Sequence, residues 1–269
     1  MIEIFDTQTP GNDTSVKLAT IPNRKKHKKG QKGIISCIDF NKDRSGMYAA
    51  GSYSQSIGIY DERYNELCLK LIGMQGNGVT QVSFSLDGNY LFSTSRQSNV
   101  IECWDIRQSG NTLYELNRPG KTNQRVAFDL DPTGNVLVSG DQYGNVLAYD
   151  LTTIENQDME TKPRMLYSWR AHQDIVTSAT INPIYPFLLA TCSGQRKFRV
   201  GLESDDSEEE EEKEDDCNNS NNNNNIGFKK EDSIDNTLSI WHMKGNYEWY
   251  SIDNASSTDQ SFNLANTIS

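Results

Sequence analysis

Four stretches of this 269-residue chain repeat one order of features, and that recurrence constrains the fold more than any single motif does. Each reads as an alternating strand, a Gly or Pro turn, a small-residue strand, a polar turn, then a strand closing on an aromatic and usually Asp. IISCIDFNKDRSGMYAAGSYSQSIGIYD ends at Tyr60 and Asp61, and VTQVSFSLDGNYLFSTSRQSNVIECWD at Trp104 and Asp105. QRVAFDLDPTGNVLVSGDQYGNVLAYD ends at Tyr149 and Asp150. The fourth stretch begins IVTSATINPIYPFLLATCSG, is interrupted, and resumes as NTLSIWH at Trp241 and His242. The closing residues fall 44, 45 and then 92 positions apart. Removing an insert of about 45 residues restores the period.

A period of about 40 to 45 residues with a terminal Trp-Asp marks a WD40 propeller blade, a four-stranded antiparallel sheet. The expected fold is therefore all-β, a WD40 β-propeller with about four and a half blades present of an expected seven or so. Ile38 with Phe40, Val82 with Phe84, and Phe128 with Leu130 each place two apolar residues on one strand face, and long helical patterns are absent. A β-sandwich of four similar hairpins is the alternative, made unattractive by the repeated order of turns and closing aromatics. The closing Asp residues suit turn amides rather than catalysis. Ile2 to Asp6 matches the closing strand of an earlier unit, so further blades are expected upstream. The domain reading is a closing strand plus basic linker over 1–32 and blades over 33–200 and 236–252. Residues 201–235 form a disordered acidic and Asn-rich insertion, and 253–269 a polar C-terminal tail.

The net charge of -11 is local. Between Gly201 and Asp235 stand 14 acidic residues against Lys213, Lys229 and Lys230, leaving 23 basic and 23 acidic residues elsewhere. Cys37, Cys68, Cys103, Cys192 and Cys217 show no CxxC spacing and read as reduced, mostly buried thiols of an intracellular protein. The chain has no apolar run of membrane-helix length and no secretory start, and neither membrane nor small-molecule partners are expected. Three histidines, His27, His172 and His242, support neither a metal site nor a Ser-His-Asp set, and no phosphate-binding glycine motif is present. The expectation is a non-enzyme without cofactor or metal.

Strand order places the loops before each first strand and those between second and third strands on one rim. Lys25, Lys26, Lys28, Lys29, Lys32, Arg96, Lys121, Arg125, Arg170 and Arg196 fall on or near it. A neutral domain with a basic rim suits phosphate contact, with Asn and Gln able to read base edges. RKKHKK (24–29) equally fits a nuclear import signal. The candidate RNA contacts are Arg96, Lys121, Arg125, Arg170, His172, Gln195 and Arg196, with Gly194 shaping the rim.

GIISCIDF (33–40), GSY (51–53), CWDIRQSG (103–110), TNQRVAFDLDPTGNVLVSG (122–140) and LLATCSGQR (188–196) closely resemble the WD-repeat telomerase Cajal body protein family. The resemblance runs from about Ile2 to Arg196. It implies a scaffold that binds a short box in the terminal loop of H/ACA-type and small Cajal body RNAs, including telomerase RNA, together with ribonucleoprotein proteins. Divergent fungal relatives of the family are linked to pre-mRNA splicing and small nuclear ribonucleoproteins. Arg125 of TNQR, and Gly194 with Arg196 of SGQR, fall on motif positions. The implied location is the nucleus, in Cajal bodies where these exist, with a cytoplasmic pool as a further expectation. A protein-only adaptor is the competing reading. Ser204 and Ser207, each followed by acidic residues, suit an acidophilic kinase, and the acid tract is expected to compete with RNA for the basic rim.

Overall fold

The computed structural model describes residues 1–5, 8, 16–21, 30–64, 66–107, 110–152, 163–194 and 235–243. Every regular element among them is a strand of an antiparallel sheet. A hairpin of β1 (Ile2–Ile4) and β2 (Val16–Leu18) precedes three four-stranded meanders. The first contains β3 (Ile35–Phe40), β4 (Met47–Ser52), β5 (Ser56–Asp61) and β6 (Glu66–Ile72). The second contains β7 (Val79–Phe84), β8 (Tyr90–Ser95), β9 (Val100–Asp105) and β10 (Thr112–Asn117). The third contains β11 (Phe128–Leu130), β12 (Val136–Gly140), β13 (Asn145–Asp150) and β14 (Arg164–Arg170). A fourth sheet consists of β15 (Val176–Ile181), β16 (Leu188–Ser193) and β17 (Leu238–His242).

Turn chemistry sets these registers. In Asp131-Pro132-Thr133-Gly134 the Gly134 amide donates to the Asp131 carbonyl at 2.9 Å, and the Asp131 carboxylate receives the Val136 amide at 2.8 Å. Proline at the second turn position and glycine at the fourth favour that geometry. The closing Asp residues act in the same way. Asp61 receives the Arg63 amide at 2.9 Å, Asp105 the Arg107 amide at 2.9 Å, and Asp150 the Thr152 amide at 2.9 Å. In the first two, the arginine guanidinium also grips both carboxylate oxygens.

Apolar clusters lie between consecutive sheets, as in stacked propeller blades. Ile57, Ile59 and Leu71 pack with Val82, Phe84 and Trp104, and Phe92, Ile101 and Leu116 with Phe128, Leu137 and Tyr149. Val138, Val146 and Ala148 pack with Val176, Ala179 and Leu189. The hairpin β1–β2 joins the stack through Ile2 against Tyr48, Ala50 and Tyr60. It does not cover the first strand of the next sheet. Ile38 and Phe40 are 45% and 56% exposed, whereas the matching Val82 and Phe84 are 4% and 0% exposed. The apolar pair on β3 thus departs from the core position that alternation gives it, because β7 has a preceding sheet to pack on and β3 does not.

Cys103 is buried, Cys37 and Cys192 are half-buried, and Cys68 is exposed on β6, so burial of the thiols is incomplete. Cys217, Lys25, Lys26, His27, Lys28, Lys29 and the tail 253–269 lie outside the described residues. Among the described residues no helix is long and apolar enough to cross a membrane.

Candidate nucleic-acid interface

In the three four-stranded meanders, each turn between the second and third strand is hydrogen-bonded twice, to the segment leading into its own sheet and to the segment leading into the next. Tyr53 N donates to Ile34 O at 3.0 Å, and Gln55 Nε2 to Gly76 O at 2.7 Å. Arg96 N donates to Gly78 O at 3.0 Å, and Gln97 N to Thr122 O at 3.0 Å. Gln142 N donates to Pro119 O at 3.0 Å, and His172 N to Gly144 O at 3.0 Å. The result is one rim of lapped loops, whose main-chain polar groups are largely satisfied within the protein.

The side chains of this rim are amides, a stacked cation and exposed charges. Asn77 Nδ2 donates to Gln97 Oε1 at 2.6 Å, and Gln97 Nε2 to Asn123 Oδ1 at 2.9 Å, a line of three exposed amides. At one end, the Arg96 guanidinium lies 4.5 Å from the Tyr53 ring centroid and donates to Tyr53 Oη at 2.9 Å. At the other end, Lys121 is exposed, its amide fixed by Gln142 Oε1 at 2.9 Å. Arg125 is exposed a few residues on. Burial raises the pKa of the Cys37 thiol on β3, while the Ser36 and Gly51 bonds and the charge of Arg125 lower it. Arg96 and Lys121 thus lie toward the two ends of the amide line, with Arg125 exposed four residues beyond Lys121.

The other described candidates are Arg170, Gly194 and His172, of which Gly194 adjoins that stretch of rim. Arg170 ends the outer strand β14, and its Nε donates to the carbonyl of His172 at 3.3 Å. Gly194 has φ of +153°, where a side chain is strained, and its carbonyl accepts from Gln124 Nε2 at 3.1 Å. Gln195, Arg196, Ser204 and Ser207 lie outside the described residues.

His172 faces inward. Its Nε2 meets Thr191 Oγ1 at 2.7 Å and its Nδ1 meets Thr237 Oγ1 at 2.9 Å, with Asp235 Oδ2 3.8 Å from Nδ1. Trp241 Nε1 donates to the same Thr191 hydroxyl at 2.8 Å. Burial holds the imidazole pKa below its ordinary value, with Asp235 opposing that shift. With both ring nitrogens engaged and 5% exposure, His172 ties the closing tryptophan to the sheet and presents no face to a ligand. Asp235, assigned by its sequence to the insertion, is held in place by the Gln173 amide at 2.7 Å and by Thr237 Oγ1 at 2.7 Å.

Equivalent interiors use different chemistry. In the second meander Trp104 Nε1 donates to Ser93 Oγ at 2.8 Å, and Glu102 takes the histidine's role, receiving Gln75 N at 2.7 Å and Ser93 Oγ at 3.3 Å. In the first meander Tyr60 Oη donates to Gln31 Oε1 at 2.8 Å, and Gln31 Nε2 donates to Ala50 O at 2.7 Å and Ser56 O at 3.0 Å. Gly58 stands where Glu102 stands, and a Cβ there would meet Gln31 Oε1 at 2.8 Å. In the third meander Arg118 is 2% exposed, its pKa pushed down to about 10 by burial against the opposing pull of Asp141 and Tyr149. Sequence reasoning passed over Gln31, Glu102 and Arg118. They stand at different offsets from the closing aromatics Tyr60, Trp104 and Tyr149, so the repeat itself gave no signal for them.

These stacked meanders with closing aromatics define a WD40-repeat β-propeller protein, and the WD domain, G-beta repeat family matches residues 66–105. The resemblance to telomerase Cajal body proteins extends over most of the chain. It is 41% identical over 205 residues to Telomerase Cajal body protein 1 of Bos taurus, covering 76% of this chain and 36% of that protein. Against Telomerase Cajal body protein 1 of Homo sapiens it is 42% identical over 205 residues, covering 76% of this chain and 35% of that protein. It is also 33% identical over 170 residues to the Guanine nucleotide-binding protein negative regulator 1 of Schizosaccharomyces pombe, covering 62% of this chain and 40% of that protein. The chain therefore spans little more than a third of the length of the first two relatives.

Proposed function

We propose that this chain is a non-enzymatic, nuclear, RNA-binding scaffold of small ribonucleoprotein particles, whose ligand is a small nuclear RNA of the H/ACA or small Cajal body type. The observation that carries the reading is the rim on which the amide line Asn77, Gln97 and Asn123 runs from the Arg96–Tyr53 pair to exposed Lys121 and Arg125 beside Asn123. Cations on a fixed backbone neutralise phosphates, and a neighbouring row of amides offers donors and acceptors to base edges. The names borne by the bovine and human relatives support the same reading, including nuclear and Cajal-body location. His172 is not part of this site, for the structural reason given above. Arg96, Lys121 and Arg125 are its core, and Arg196 and Gln195 join it on sequence grounds.

The test is binding of protein-free small nuclear RNA across a salt series. RNA binding through this rim gives log affinity that falls steeply with log salt, and Lys121→Ala or Arg125→Ala each lowers that slope by about one. Crosslinking and immunoprecipitation that recovers no small nuclear RNA above background, together with a flat salt response, overturns the reading in favour of a protein-only adaptor.

A further inference from the structure

We propose that Tyr53 and Arg96 form a stacking platform for one unpaired nucleobase of a single strand, at the end of the amide line. The proposal rests on the RNA reading above and adds the group that holds a base rather than a phosphate. Three observations carry it.

The pair is exposed in the right part. Tyr53 is 42% exposed although its neighbours Gly51 and Ser52 are buried, and the central guanidinium carbon of Arg96 lies over the ring, 4.5 Å from its centroid. Aromatic rings and arginine planes are the surfaces on which unstacked bases are received. The pair is also fixed before any ligand arrives. Arg96 Nη2 donates to Tyr53 Oη at 2.9 Å, so neither side chain is a freely rotating rim residue. Two glycines seat the loops that carry them. A Cβ at Gly78 would lie 2.6 Å from Tyr53 Cα, and one at Gly76, whose φ is +83°, would lie 2.5 Å from the Arg96 carbonyl. The lead-in to the second meander is thus flat where the Tyr53 and Arg96 loops cross it.

The platform also has a direction. Arg96 is followed by Gln97, which is bonded to Asn77 on one side and Asn123 on the other, and beyond Asn123 stand the exposed Lys121 and Arg125. A strand whose base rests on Tyr53 and Arg96 has amides beside that base's edge and cations farther along for its phosphates. Stacking tolerates any base, because every base has a π-face, so selectivity falls to the amides.

The experiment uses the whole chain and a short single-stranded RNA carrying 2-aminopurine, whose fluorescence is quenched by stacking. Wild-type protein is expected to quench it. Tyr53→Ala is expected to abolish the quench and weaken binding about tenfold with the salt slope unchanged, while Tyr53→Phe keeps both within about twofold. Lys121→Ala is expected to do the reverse, lowering the slope by about one while the quench persists. RNA bound by wild type with quench and affinity unaltered in Tyr53→Ala overturns the platform and leaves the RNA reading standing. Wild-type protein that binds no RNA overturns both.

Discussion

The Asp39 carboxylate accepts a hydrogen bond from the Phe84 amide at 2.8 Å, joining the innermost strand of one sheet to that of the next. Asp129 repeats the arrangement two sheets on, receiving the Ile181 amide at 3.0 Å. Between them the matching residue is Ser83, too short for the reach, and Gln81 makes the link instead, donating to Phe128 O at 2.8 Å and receiving Phe128 N at 3.1 Å. Asp39→Ala leaves the amide of fully buried Phe84 without its partner. The expected cost is about 1–3 kcal/mol, or about 2–4 °C of Tm per kcal/mol, with Asp39→Asn closer to wild type, and thermal denaturation reads it.

Glu102 gives the second meander a pH response. Burial first, and the charge of Glu115, raise its pKa to about 7 from the usual carboxylate range, against the opposing bonds from the Gln75 amide and Ser93. A carboxyl raised on folding contributes stability that is complete below about 4.5 and is lost as pH climbs through about 7. Glu102→Gln removes that dependence and keeps an acceptor for the Gln75 amide. Urea midpoints measured at pH 5 and pH 8 should converge in the variant relative to wild type; an equal gap in both would refute the assignment.

His172 carries the opposite sign. Its pKa is depressed by burial, so the stability it contributes is present above about 6.5 and is lost as pH falls through its folded value. His172→Ala strands the Thr191 and Thr237 hydroxyls and the Trp241 indole network. The expected cost is about 1–3 kcal/mol in the fourth sheet, with RNA affinity and salt slope unchanged once the protein is folded. A lowered salt slope in folded His172→Ala would return the residue to the RNA contacts.

Gly140 ends β12 against β15 so closely that a Cβ would lie 2.2 Å from the Val176 carbonyl. Gly140→Ala has to push the third and fourth sheets apart. A loss of about 3 kcal/mol is expected, and hydrogen exchange should show it first in β12 and β15.

The repeat, its strand order and the closing aromatics were legible in the chain because turns and alternation are local signals written four times over. The loop positions of Arg96 and Lys121 followed from strand order alone. His172 was misread because a histidine in a polar loop looks solvent-facing until Thr191 and Thr237, distant in sequence, are seen to close over it. Ile38 and Phe40 share a strand face as alternation indicates, but alternation alone does not say whether that face is covered, which depends on the neighbouring sheet. Tyr53 escaped notice because nothing near it in sequence announces that Arg96 will lie upon it.

The interruption in the fourth repeat leaves and re-enters through one clasp. Ser193 N donates to Thr237 O at 2.9 Å, Thr237 N to Ser193 Oγ at 3.2 Å, and Ser193 Oγ to Asp235 O at 2.9 Å. With the two ends stitched together, a flexible loop of any length could be closed between them at an entropic cost that grows only as the logarithm of its length. Each doubling costs about 0.6 kcal/mol. Halving the acidic and asparagine-rich tract between these ends is therefore expected to shift the unfolding free energy by less than about 1 kcal/mol, read from urea midpoints.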